Sequence, residues 1–184
     1  IPSLFRKVEF EPYDRERIFT PDDDFLDLDW LRSGGNSKLV IISHGLEGDS
    51  SRHYVKGTAK LFHENSWDVC AWNCRSCSGE MNKQVRFYHH GDTPDLAFVV
   101  DHAMQQKEYQ EVFLIGYSMG GNITLRYMGE RAEMVHPQIK RAMAVSVPCQ
   151  LAHCVKELEK PGKMFYNKRF YSKLREKLDL HNTI

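Results

Sequence analysis

Four short apolar runs constrain this chain most: "KLVIIS" (38–43), "WDVCAW" (67–72), "EVFLIG" (111–116) and "RAMAVSV" (141–147). Each is strand-length and apolar enough to be buried on both faces. Helix-length segments separate them. Residues 54–65 carry an apolar stripe through Val55, Ala59 and Phe62. Thr93-Pro94-Asp95 reads as a helix start, with a cap, a proline at the first position and an acid in the first turn. Leu96, Val99, Val100, Ala103 and Met104 then form one face of that helix, and residues 120–133 read as another. Alternation of this kind predicts an α/β fold, a mostly parallel sheet with helices on its two faces. Before it, residues 4–30 read as β structure: "LFRKVEFE", then "ERIFT" and "FLDLDWL" flanking a turn at Pro21–Asp24. Two further helices are expected at 150–159 and 164–179. The second carries Lys and Arg among its apolar positions and reads as a solvated face.

At 184 residues the chain is most simply one domain. Its 25 basic and 25 acidic residues cancel, which gives no support to a broad electrostatic claim on nucleic acid or an anionic membrane, and no nucleic-acid partner is expected. No apolar run approaches the roughly 18 residues of a membrane span, and no signal peptide opens the chain. The five cysteines read as reduced thiols of a cytoplasmic protein. Cys74-x-x-Cys77, with His89 and His90 nearby, invites comparison with a redox pair or half a zinc site. The "SGEMNK" that follows reads as a loop rather than a helix start, and adjacent histidines diverge. Loop thiols are the expectation, with no metal and no cofactor.

Functional residues of such sheets gather at the carboxyl ends of strands. Gly116-Tyr117-Ser118-Met119-Gly120 follows an apolar strand and precedes a helix. That is the context in which G-x-S-x-G forms a sharp turn that exposes a serine, here Ser118, as nucleophile. Its oxyanion hole needs two N–H groups, one from the residue after the serine and one from the turn after an earlier strand. Met119 and Leu46 fill those positions, with Gly45 and Gly48 freeing the backbone of "SHGLEG". His44 precedes the serine and lies inside that turn, so it reads as a brace for the loop and not as a general base. Asp92 and Asp95 also precede the serine and read as helix-capping acids.

Beyond these motifs the chain resembles the YheT-like α/β-hydrolases, also called the AB-hydrolase 4 family. The resemblance rests on "HGLEG" (44–48), "AWNCRSCSGE" (71–80), "RFYHHGDTPDLAFVV" (86–100), "GYSMGGN" (116–122) and "AVSVPCQL" (144–151). It implies an α/β-hydrolase fold and hydrolysis of carboxylic esters with Ser118 as nucleophile. The family pattern has glycine before the cysteine of the second block, where Ser76 stands here.

A serine hydrolase also needs a base and an acid, which follow the serine along the chain in this fold. After Ser118 come His136, before the last strand, His153 in a helix and His181 near the end. None follows a later strand. The chain, which begins at Ile1, therefore reads as the front part of a hydrolase: a β segment at 1–37, the core sheet at 38–148 and, by the resemblance, the start of a helical cap at 149–184. The remaining strands and the triad Asp and His are expected downstream of residue 184. The functional expectation is a serine esterase acting on small acyl esters. The alternatives are an acyltransferase using the same acyl-enzyme and a non-catalytic relative that binds in the pocket.

Overall fold

The computed structural model of the chain describes residues 7–9 and 11–181. Six strands form one mixed sheet: β1 (Asp14–Thr20), β2 (Asp24–Leu31), β3 (Lys38–Ser43), β4 (Asp68–Trp72), β5 (Glu111–Tyr117) and β6 (Ile139–Val145). Their spatial order is β1-β2-β4-β3-β5-β6. The hairpin β1–β2 is antiparallel and joins the sheet antiparallel to β4; β4, β3, β5 and β6 run parallel. Helices α1 (His53–Glu64), α2 (Thr93–Gln106) and α3 (Met119–Arg131) make the crossovers. This is the predicted α/β arrangement with its antiparallel N-terminal segment, elements starting and ending within about two residues of the expected places. "LFRKVEFE" is the exception. Residues 4–6 and 10 lie outside the described residues, and residues 7–9 and 11 have no regular structure, because pairing with β2 begins only at Asp14.

The sheet sorts its side chains by the two-residue period of a strand. Leu39 and Ile41 of β3 face one core with Leu96, Val99 and Val100 of α2 and Ile123 and Tyr127 of α3. Val40 and Ile42 face the other, with Val55 and Ala59 of α1. The carboxyl ends of β3, β4 and β5 therefore emerge together between the two helix layers. A second compact unit begins at Pro148 and contains α4 (Leu151–Leu158) and α5 (Met164–His181). In α4 no residue is buried, and Leu151 and Val155 are exposed.

Charged residues hold the hairpin to the loop after β4. Arg15 and Arg17 stand directly opposite Asp29 and Asp27 in the β1–β2 register. Each grips its partner with two parallel bonds, 2.7 and 2.9 Å. Asp24, fully buried, accepts bonds from the N–H groups of Phe25, Lys83 and Gln84, from Asn82 Nδ2 at 2.7 Å and from Arg75 Nη1 at 3.1 Å. Arg75 is itself buried and also binds Asp95 through Nε at 2.8 Å and Nη2 at 3.0 Å. Asp95 is thus a buried ion-pair partner and not a capping acid. Asp92 makes no cap bond either; its carboxylate accepts from Arg86 Nη2 at 2.5 Å. Nor does Thr93 cap α2, since its hydroxyl donates to Glu130 of α3 at 2.8 Å. Long-range partners outcompete the local backbone for all three side chains.

The departure at Ser76 has a geometric cause. Cys77 N–H bonds to Cys74 O at 3.0 Å, closing a turn whose central residues are Arg75 and Ser76. Ser76 has φ +57° and Arg75 does not share the left-handed region. That is a type II turn, whose third position favours glycine. Ser76 occupies it with reciprocal bonds to Asn82: its N–H donates to Oδ1 at 2.5 Å and its hydroxyl accepts Asn82 N–H at 3.0 Å.

Removing Arg75 leaves Asp24 and Asp95 buried without their cation. Arg75→Leu is expected to lower unfolding free energy by about 3–5 kcal/mol, read as a reduced urea midpoint. Burial alone raises the Asp24 pKa, but the bonds from Asn82, Lys83, Gln84 and Phe25 outweigh it and hold the carboxyl below its ordinary value. Asp27 is lowered likewise, burial being outweighed by Arg17 and Ser78. Folded values below the unfolded ~3.9 give stability that is present above that pH and lost as pH falls through the folded values. Stability measured below about pH 4 should therefore decline more steeply in the wild type than in Asp24→Asn.

Candidate active site

Ser118 sits where β5 ends and α3 begins, half-buried, with φ 51° and ψ −114°. An L-residue occupies that region only when its surroundings force it. Its N–H donates to Val145 O of β6 at 2.8 Å, and its carbonyl accepts from Asn122 N–H at 3.1 Å. Two glycines make the bend possible. A Cβ on Gly116 would lie 2.2 Å from Gly120 O, and one on Gly120 would lie 2.4 Å from the carbonyl oxygens of Ser43 and His44. Strand, helix and the turn after β3 are therefore in backbone contact around Ser118. Met119, fully buried, opens α3, so its N–H belongs to the first-turn amides that have no intrahelical acceptor.

The turn after β3 comes up beside this serine: a Cβ on Gly45 would be 3.3 Å from Ser118 Cβ. The sequence led us to expect Gly45 and Gly48 to supply backbone freedom here. Instead Glu47 takes the left-handed conformation, at φ +53°, and the glycines supply room. A Cβ on Gly48 would meet Gly45 O and Tyr54 Oη, both at 2.8 Å. Three amides of the turn are committed. Gly45 N–H donates to Tyr54 Oη at 3.0 Å, Glu47 N–H to Tyr88 Oη at 3.1 Å, and Gly48 N–H to Gly45 O at 2.9 Å. Leu46 N–H has no partner among the described residues.

His44 is buried, with Nδ1 2.8 Å from Gly45 O and Nε2 accepting Cys74 N–H at 3.0 Å. A carbonyl can only accept and a peptide N–H can only donate, so the ring is neutral with its proton on Nδ1. Both nitrogens are engaged in holding backbone. Tyr88 performs a related task on the far side of the turn, where its hydroxyl also donates to the Glu47 carboxylate. Burial, then proximity to Cys77 and to Glu47, pushes the ionisation of this phenol far upward, so it keeps its proton. Beyond the turn, Ser50 N–H donates to Asn73 Oδ1 at 2.9 Å, and Ser50 Oγ and Asn73 Nδ2 both bind Asp29. The sequence reading missed Tyr54, Tyr88, Asn73 and Asp29. Their partners lie 9 to 44 residues away, and no short-range pattern in the sequence records them.

Three histidines follow Ser118 in the chain. His136 bonds to Asp101 at 2.8 Å, but it precedes β6, beside the amino end of β5, where Val112 N–H meets Gln138 O. Seven residues of β5 put that pair roughly 20 Å from the serine. His153 lies on α4 in the separate unit, and the side chain of His181 is outside the described residues. Cys74 and Cys77 are not joined in a disulfide, and among the described residues no three His, Cys, Asp or Glu side chains converge on a metal site.

Comparison with known proteins agrees with this geometry. Residues 34–182 match the family described as serine aminopeptidase, S33. YheT of Escherichia coli (strain K12) is 30% identical over 172 residues, covering 91% of this chain and 50% of that protein. A monoacylglycerol lipase of Saccharomyces cerevisiae is 27% identical over 138 residues, covering 74% of this chain and 29% of that protein. The chain thus spans half or less of the length of these relatives. Among solved structures, the Pyrococcus furiosus esterase Pf2001 superimposes with a TM-score of 0.67 at 23% identity, over 87% of this chain and 62% of that one. A family match over most of the chain, the sheet order and the strand–serine–helix turn agree: the chain belongs to the α/β-hydrolases, in the serine aminopeptidase S33 family, and is YheT-like.

Proposed function

We propose that this chain carries the nucleophile and oxyanion hole of a serine hydrolase that cleaves small carboxylic esters through an acyl-enzyme. The observation behind this reading is the juxtaposition at Ser118: a strained serine at the start of α3, flanked by a turn in which Leu46 N–H has no partner among the described residues. In the proposed reaction Ser118 Oγ loses its proton to a base and attacks the ester carbonyl carbon. The carbonyl oxygen becomes an oxyanion held by Leu46 N–H and Met119 N–H, assisted by the positive end of α3. The intermediate collapses, the C–O bond to the alcohol breaks, and the alcohol leaves with the proton. Water then attacks the acyl-serine by the same route and releases the acid.

His44 does not serve as the base in this reading, because both its ring nitrogens are engaged with backbone groups. The base and the acid that orients it are assigned to sequence beyond residue 184, in the part of the relatives' length that this chain does not span. The helices α4 and α5 are assigned to the beginning of a helical cap. The relatives' names, esterase for YheT and monoacylglycerol lipase for the yeast protein, favour acyl esters as the substrate class. No helix among the described residues is long and apolar enough to cross a membrane, and a cytoplasmic setting remains part of the proposal.

Labelling of the full-length protein with a fluorophosphonate probe tests the reading. One adduct on Ser118 is expected, absent in Ser118→Ala; labelling that persists in that variant rejects it. The Tyr88 hydroxyl acts on the turn and not on the substrate. Tyr88→Phe should therefore lower kcat by about tenfold to a hundredfold with little change in KM, measured on a short-chain ester.

A further inference from the structure

The pair Cys74 and Cys77 takes no part in the proposed hydrolysis, yet it occupies the turn that braces the oxyanion loop. The two residues are the first and fourth of the type II turn closed by the 3.0 Å bond from Cys77 N–H to Cys74 O. A β-turn holds those two Cα atoms within 7 Å, and a disulfide requires about 4.4–6.8 Å. The side chains share a side of the sheet: Cys74 belongs to the core cluster that contains Trp72 and Tyr88, and Cys77 packs against that same cluster. Cys74 is buried, whereas Cys77 is half-buried. Neither is in a disulfide.

Each cysteine is also placed against the oxyanion loop. Cys74 N–H is the donor to His44 Nε2, and the same imidazole holds Gly45 O. Cys77 packs against the core cluster that contains Tyr88, the acceptor of Glu47 N–H. Cys70, by contrast, is wholly enclosed in β4, and Cys149 and Cys154 lie in or at the edge of the separate unit.

We propose that Cys74 and Cys77 form a redox-modifiable dithiol whose oxidation to a disulfide loosens the turn at residues 44–48. Hydrogen peroxide is the oxidant. The Cys77 thiolate attacks one peroxide oxygen, the O–O bond breaks, and sulfenic acid forms with release of hydroxide. The Cys74 thiol then attacks the Cys77 sulfur; the S–S bond forms, the S–O bond breaks, and water leaves. Two electrons pass from the two sulfurs to peroxide. Bringing the Cβ atoms to about 3.5–4.5 Å turns Cys74 out of its core packing and shifts the N–H that holds His44. A dithiol reductant reverses the step.

The effect on activity rests on Ser118 being the nucleophile; the bridge and the loosening do not, so their test needs no turnover. The full-length protein is treated with hydrogen peroxide and digested with trypsin and chymotrypsin, which cut after Arg75 and Trp72. A Cys74–Cys77 bridge then joins residues 73–75 to the peptide beginning at Ser76. The expected result is that linked peptide, together with amide exchange at Gly45 and Glu47 accelerated about tenfold or more. Dithiothreitol should reverse both, and Cys77→Ser should show neither. Where fluorophosphonate labelling occurs, its rate should fall by about the same factor on oxidation. Failure to recover the linked peptide overturns the proposal, as does a bridge that leaves exchange at 44–48 unchanged.

Discussion

One buried imidazole connects the parts of this molecule. His44 donates from Nδ1 to the carbonyl of the turn beside Ser118 and accepts at Nε2 from the loop after β4. Each bond admits a single direction, so the ring is fixed in tautomer and in orientation by backbone groups. Behind Cys74 stand Arg75 and its buried carboxylates, and behind those stands the N-terminal hairpin. A hairpin at the edge of the sheet is thereby coupled to the position of one amide, that of Leu46, two strands away.

This arrangement accounts for the density of buried charge in a chain whose net charge is zero. Asp24, Asp27 and Asp29 lie on a strand with no exposed residue. Carboxylates there are costly unless each lone pair is used. Asp27 and Asp29 are met by arginines directly across the hairpin, and Asp24 by three backbone N–H groups, Asn82 and Arg75. The same carboxylates tie down the loop over residues 73–84, which has no regular structure of its own. Loop rigidity here comes from buried ionic bonds where a helix or strand would otherwise supply it.

What was legible in the sequence was whatever is decided over a few residues. The alternation of Leu39 and Ile41 against Val40 and Ile42 follows from strand geometry, and the bend at Ser118 from five adjacent residues. His44 was read as a brace because it precedes the serine and lies inside the turn, and both its ring nitrogens bond to backbone groups. The roles of Asp92, Asp95 and Thr93 were misread because capping is the local use of such residues, and their actual partners are 6, 20 and 37 positions distant. Tyr88 and Glu47 are 41 apart, Asn82 and Asp24 are 58 apart, and no short-range pattern records either pair. Ser76 shows the same limit in reverse. The departure from glycine is visible in the sequence, while the Asn82 side chain that makes it tolerable emerges only when the loop is folded.

The central claim is that the turn at residues 44–48 and the start of α3 together form an oxyanion hole for a reaction at Ser118. A crystal structure of the full-length protein carrying a covalent phosphonate tests it most directly, because the phosphoryl oxygen stands where the oxyanion would be. The account predicts the adduct on Ser118 Oγ, with that oxygen about 2.7–3.1 Å from the nitrogens of both Leu46 and Met119. A phosphoryl oxygen directed away from those two amides, or an adduct on another residue, would contradict it.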